Sequence, residues 1–188
     1  MNELEAALVI ACRRGDAAAF RRLVEIHQQK VYSLCVALLG ADGEDAAQET
    51  FLRVFRAIGE FEIDGPASLR GWILCIARRL CHDRARHLGF GIEVSIALPD
   101  IADPSGGPDQ RLDEVRLRER LLGALAQLPE EQRLVIALRE WEGLDYHEIA
   151  EVAGVPIGTV RSRLARARAG MRRALAEPTS GGARVARA

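Results

Sequence analysis

Between Gly158 and Arg173 the chain places six arginines and no acid, although its formal net charge is only -1. Guanidinium groups at that density bond phosphate oxygens and, as two-pronged forks, the edge of guanine, so the segment is equipped for a polyanion. At about 100° per residue, Ile157, Val160, Leu164, Ala167 and Met171 form one apolar stripe. Arg161, Ser162, Ala165, Arg166 and Arg173 flank or oppose it. One face packs, and the other is open to nucleic acid.

Two further charged sets lie upstream. Asp42, Glu44, Asp45 and Glu49 crowd the start of one helical pattern, while Arg78 to Arg86 carries four arginines against one aspartate, Asp83. Neighbouring helices of opposite charge fit two different partners. Groups for bond-breaking chemistry are sparse: His27, His82, His87, His147 and the four cysteines fall into no recognisable triad and no glycine-rich phosphate loop. An enzyme is not expected. Cys12, Cys35, Cys75 and Cys81 lack CxxC spacing and lie in apolar helical patterns, as reduced core thiols do. Cys75, Cys81 and His82 lack the three- or four-residue spacing of a helical metal pair, and neither metal nor cofactor is expected.

The elements that position these residues read as all-α. Ala, Leu, Arg and Glu dominate, aromatics make up 5%, and no stretch alternates β-branched residues. Leu4 to Arg14 forms a first helix, stopped at Gly15; Asp16 caps a second, through Phe20, Leu23, Val24, Val31, Leu34 and Leu38, ended by Gly40. Asp42 is expected to cap a third, with Phe51, Val54, Phe55 and Ile58 buried. A fourth begins near Ser68, turns Leu69, Trp72, Ile73, Ile76 and Ala77 inward, and runs into the basic stretch.

Glycines and prolines from Leu88 to Leu112 mark a flexible linker, which divides the chain into two small helical domains, residues 1–87 and 113–176. The tail, 177–188, is expected to be disordered. In the second domain Val135, Ile136, Leu138 and Trp141 supply core. Asp145 to Ala153 is a short helix with Ile149, Ala150 and Ala153 inward, and Gly154-Val155-Pro156 turns it into the arginine-rich helix. The result is a helix-turn-helix, whose second helix enters the major groove.

Asp45-Ala-Ala-Gln48-Glu49-Thr-Phe51, then Gly71-Trp72-Ile-Leu-Cys-Ile-Ala-Arg78, a Pro/Gly linker, Leu128-Pro-Glu-Glu-Gln-Arg133 and Gly158-Thr-Val-Arg-Ser-Arg-Leu164 follow one another in an order that resembles the extracytoplasmic-function (ECF) sigma factors of bacterial RNA polymerase. The likeness spans about residues 10 to 175. It implies a sigma region 2-like domain over 1–87, in which Asp45, Gln48 and Glu49 bind core polymerase and Arg78, Arg79, His82, Arg84 and Arg86 bind the minus-ten element. It implies a region 4-like domain over 113–176, in which Arg161, Ser162, Ala165 and Arg166 read the minus-35 element, with Arg163 and Arg168 beside them. Arg79 departs from the asparagine that the family often carries there.

The implied partners are the clamp helices of the largest polymerase subunit, the flap of the second-largest, promoter DNA and an anti-sigma factor. Linker residues Asp100, Asp103 and Asp109 would mimic nucleic-acid charge in the RNA-exit path. No apolar run reaches the roughly 18 residues that span a bilayer, and the N-terminus lacks a basic signal-peptide flank, so membrane insertion is not expected and a cytoplasmic location is. The competing reading, a stand-alone helix-turn-helix repressor, needs only the second domain and leaves the acidic helix without a role.

Overall fold

Apolar residues at three- and four-residue spacing fold into eight α-helices among the described residues of a computed structural model, 3–65, 67–87 and 108–176. They are α1 (Glu3–Arg13), α2 (Ala17–Leu39), α3 (Gly43–Ala57), α4 (Leu69–His87), α5 (Pro108–Ala126), α6 (Glu130–Glu140), α7 (Tyr146–Ala153) and α8 (Ile157–Ala176). No strand occurs among the described residues. The expected all-α class is observed. The expected tail and most of the expected linker, with Asp100 and Asp103, lie outside the described residues.

Asp16 caps α2 as expected, its Oδ1 accepting from the backbone N–H of Ala18 at 2.8 Å and of Ala19 at 3.2 Å. Arg13 ties α1 to the 3-10 turn that follows α3, donating to the carbonyls of Ile58 and Phe61. Asp42 stands ahead of α3, yet its side chain makes no capping bond, because a 3-10 turn over Gly40–Asp42 leads the chain in. What the entry requires is Gly43: a Cβ there would lie 2.6 Å from the Cα of Val36, so α3 starts against the backbone of α2. Ser68 caps α4, its Oγ accepting from Gly71 at 3.0 Å.

Helices α2, α3 and α4 enclose Leu23, Val31, Leu34, Val54, Leu69, Ile73 and Leu80, all essentially fully buried. Trp72 takes the core role, half-buried with its ring 5.2 Å from that of Phe61. Phe55 does not: it is 54% exposed, edge-on to Phe20 at 5.0 Å. Val54 of α3 and Ile58 of the turn after it hold the inward line, and the next residue along a helix points about 100° away.

In the second half, α7 opens on a capping box. Asp145 accepts from the N–H of His147 and Glu148, and Glu148 accepts from the N–H of Asp145. Gly154 ends it at φ 66, the left-handed conformation that favours glycine, and Pro156 then offers its carbonyl to the N–H of Thr159 and Val160 as α8 begins. Trp141, expected in the core, is 41% exposed. It follows the last turn of α6, and Leu144, fully buried with its N–H bonded to the carbonyl of Leu138, takes the inward place. Helix α5 starts at Pro108, inside the stretch expected to be linker; proline suits a first helical position because its φ is already set.

The two halves share a core. Helix α6 packs against α2 and α7 against α4, and one hydrophobic cluster runs from Val9 to Ala167. Every residue from Arg133 to Leu138 is buried, as is every residue from Leu34 to Leu39. A helix buried on all sides has neighbours all round. For α6 these are α7 and α8 on one side and α2 on the other.

Candidate functional site

Helix α8 presents the edge that its sequence pattern promised. Val160, Leu164 and Ala167 are buried, while Arg161, Ser162, Ala165 and Arg166 are exposed along one side. Ser162 donates to the carbonyl of Thr159 at 3.0 Å and keeps its oxygen lone pairs outward. Arg172 and Arg173 extend the exposed charge. Two other arginines of the run are tied down: Arg168 donates twice to Glu140 Oε1, at 2.8 and 3.2 Å, and Arg163 lies 3.5 Å from Glu131 Oε2. Both acids belong to α6. Arg163 and Arg168 thus reach back toward α6, and Arg161, Ser162, Ala165 and Arg166 form the exposed edge.

The five residues singled out on α4 divide in the same way. Arg79 and Arg86 are exposed. His82 is exposed but places Nδ1 3.2 Å from Glu130 Oε1 of α6. Arg78 is half-buried with its Nε enclosed and unbonded, and Arg84 donates to Glu49 Oε2 at 2.6 Å. On α3, Asp45 and Gln48 are exposed on one face. Glu49 is partly covered, its Oε1 accepting from Nε and Nη2 of Arg53 at 3.0 and 2.7 Å. The bonds from Arg84 first, and from Arg53 next, hold its carboxyl below the ordinary range.

Sequence reasoning missed two features. Leu52 and Phe55, 58% and 54% exposed, continue the face of Asp45 and Gln48 with apolar surface. The signal was available, since Leu52 follows Gln48 by one helical turn and Phe55 follows it by two. The second is a polar cluster where the halves meet. Arg70 of α4 donates to the carbonyl of Glu142 at 3.3 Å and to Glu148 Oε1 at 3.0 Å. Glu142 is buried with Oε2 unbonded; burial raises its pKa, while Lys30 and Arg70 pull the other way. His27 is buried nearby, its pKa lowered by burial and then by Lys30. These residues lie far apart in sequence, and only the packing of α6 and α7 on the first half unites them.

Cys75, Cys81 and His82 each face a different neighbour. Cys75 lies 3.8 Å from the carbonyl of Glu151, the thiol of Cys81 is hydrogen-bonded to that of Cys35, and His82 lies beside Glu130. The bond to Cys35 and burial push the Cys81 thiol well up, so it is a poor thiolate. All four cysteines are unpaired by disulfide. Among the described residues no group of three or more His, Cys, Asp or Glu side chains is placed to hold a metal ion, and no helix is long and apolar enough to cross a membrane.

Two family models match the chain: Sigma-70 region 2 over residues 23–90 and Sigma-70, region 4 over residues 118–171. The ECF RNA polymerase sigma factor SigE of Mycolicibacterium smegmatis is 39% identical over 175 residues, covering 88% of this chain and 66% of that relative's length. The RNA polymerase sigma-H factor of Pseudomonas aeruginosa is 34% identical over 186 residues, covering 93% of this chain and 95% of the relative. Among solved structures, the sigma factor RpoE from Bartonella quintana, in complex with the anti-sigma factor NepR, superposes with a TM-score of 0.68 at 23% identity over 83% of this chain and 96% of that one.

Proposed function

The chain belongs to the ECF sigma factors of bacterial RNA polymerase, and from that premise we propose how its surfaces divide the work. Residues 1–87 form the domain that binds core polymerase and the minus-ten element, and 113–176 form the domain that reads the minus-35 element. Asp45, Gln48 and Glu49 meet basic side chains of the clamp helices of the largest subunit; Leu52 and Phe55 supply the apolar part of that contact. Arg79 and Arg86 bind single-stranded phosphate at the minus-ten element, joined by Arg78, His82 and Arg84 once their present contacts open. Arg161 and Arg166, with Ser162 and Ala165 between them, enter the major groove.

The protein is a specificity subunit of the polymerase. It binds and orients, and the polymerase performs the chemistry in the cytoplasm. A partner of the anti-sigma class holds it inactive by covering these faces; RpoE of Bartonella quintana is seen in complex with the anti-sigma factor NepR.

One observation carries the reading: behind a capped α7 and the left-handed Gly154, α8 turns Arg161, Ser162, Ala165 and Arg166 outward as one continuous edge. A stand-alone repressor would share that edge, but the acidic and apolar face of α3 would have no partner. The test mixes the purified chain with core polymerase and a supercoiled promoter library. A stable complex and new start sites are expected; neither appearing, with any inhibitory partner removed, overturns the reading.

A further inference from the structure

One carboxylate joins the two opposite-charged surfaces of the first half. Glu49 lies one helical turn from Asp45 on the acidic face of α3, and its Oε2 accepts from Arg84 on the basic helix α4. Its other oxygen accepts from Nε and Nη2 of Arg53. The cleft around this contact is lined by Asp42, Asp83 and His87 as well. With Glu49 in place its carboxylates, Asp42, Glu49 and Asp83, outnumber its arginines, Arg53 and Arg84. Withdraw Glu49 and the balance moves toward a site for anions.

A guanidinium held by a carboxylate at 2.6 Å is compensated and unavailable to phosphate. Resting on the function proposed above, we infer that Glu49 is a coupling residue. In the free chain it holds Arg84 away from DNA, and when a cationic partner on the α3 face takes the carboxylate, Arg84 is released to bind the single strand. The positioning residue and the partner's target are the same group, so engagement at the acidic face registers on the basic one. Arg53 serves as the second holder and keeps Glu49 from swinging toward solvent.

The experiment titrates the full chain with a fluorescent, randomised single-stranded 15-mer, measuring affinity against salt. Glu49→Gln is expected to tighten binding at least fivefold and to steepen the slope of log affinity on log salt by about 0.7, the signature of one added contact to single-strand phosphate. Glu49→Gln combined with Arg84→Ala should return both readings to those of the parent. Glu44→Gln, an equal charge change on the exposed first turn of α3, reports the general effect of charge. A gain for Glu49→Gln no larger than that for Glu44→Gln, or a gain that survives loss of Arg84, overturns the inference. If Glu49→Gln fails to fold, Glu49→Asp is read on the same curve, because it keeps the charge and shortens the reach; an unchanged affinity and slope then overturn it.

In a saturated complex with core polymerase Glu49→Gln should add nothing further, since the carboxylate is already taken, and a fivefold gain persisting there counts against the coupling. The parent failing to bind core polymerase at all overturns the proposed function instead, while the free-chain measurements still decide whether Glu49 withholds Arg84.

Discussion

Among single residues, Glu142 has the clearest dependence on pH. Burial raises its folded pKa above the ordinary 4.5, so between those two values the folded chain keeps a proton that the unfolded chain has released. Stability therefore falls as pH rises through that window and stays reduced above it. Glu142→Gln keeps the shape and removes the ionisation, so it should melt higher than the parent at neutral pH, the difference closing as pH drops below the window. Thermal melts of both chains at several pH values check this. His27 has the opposite sign, its contribution being lost as pH falls below about 6.5; it is common to both chains and cancels. On α8, Arg161→Ala or Arg166→Ala should weaken minus-35 discrimination by about 1 to 3 kcal/mol for a base contact. Competition between matched and scrambled duplexes measures it, and equal loss on both would mark a phosphate contact.

For the elements, entry into α3 depends on close backbone approach. Gly43→Ala places a methyl 2.6 Å from Val36 Cα, where the obstacle is backbone, and should destabilise the chain by about 1 to 3 kcal/mol in denaturant titration. Helix periods were legible in the sequence because one stripe of each helix must pack, which is why α2, α4 and α8 appear where Leu34, Ile73 and Leu164 require them. The cap was legible where the side chain performs the capping, at Asp16, and for α4 the start near Ser68 was legible while its capping bond was not. Asp42 misled because a 3-10 turn satisfies the same need by backbone alone. A stripe records that a helix packs and leaves open where the stripe ends, so Phe55 and Trp141 at its margins were misplaced. The candidate site was legible as charge type and spacing. Which charges are taken by neighbours was not, since Arg84 with Glu49 and Arg168 with Glu140 are contacts between helices.

Across the whole molecule, the junction of the two halves is held by apolar packing of α6 on α2 and by Arg70 reaching Glu142 and Glu148. Arg70→Glu should loosen it and enlarge the radius of gyration in small-angle scattering, and adding Glu148→Arg should restore much of the compaction by re-forming the ion pair with its signs exchanged. Both partners are largely enclosed, their side chains 28% and 29% exposed, so solvent screens the pair less than it does the pairs on the open surface.

The unbroken burial of Arg133 to Leu138 also bears on how this chain can be recombined. A second half grafted from a relative onto the helices proposed above to bind the clamp would bring the wrong counterpart for Leu34 to Leu39, whatever its sequence preference. Exchange of specificity by swapping whole domains should fail in the free protein unless α2 and α6 travel together. Substitutions confined to the outer edge of α8, from Arg161 to Arg166, leave the junction intact, which makes that edge the part of the molecule freest to diverge toward new promoters.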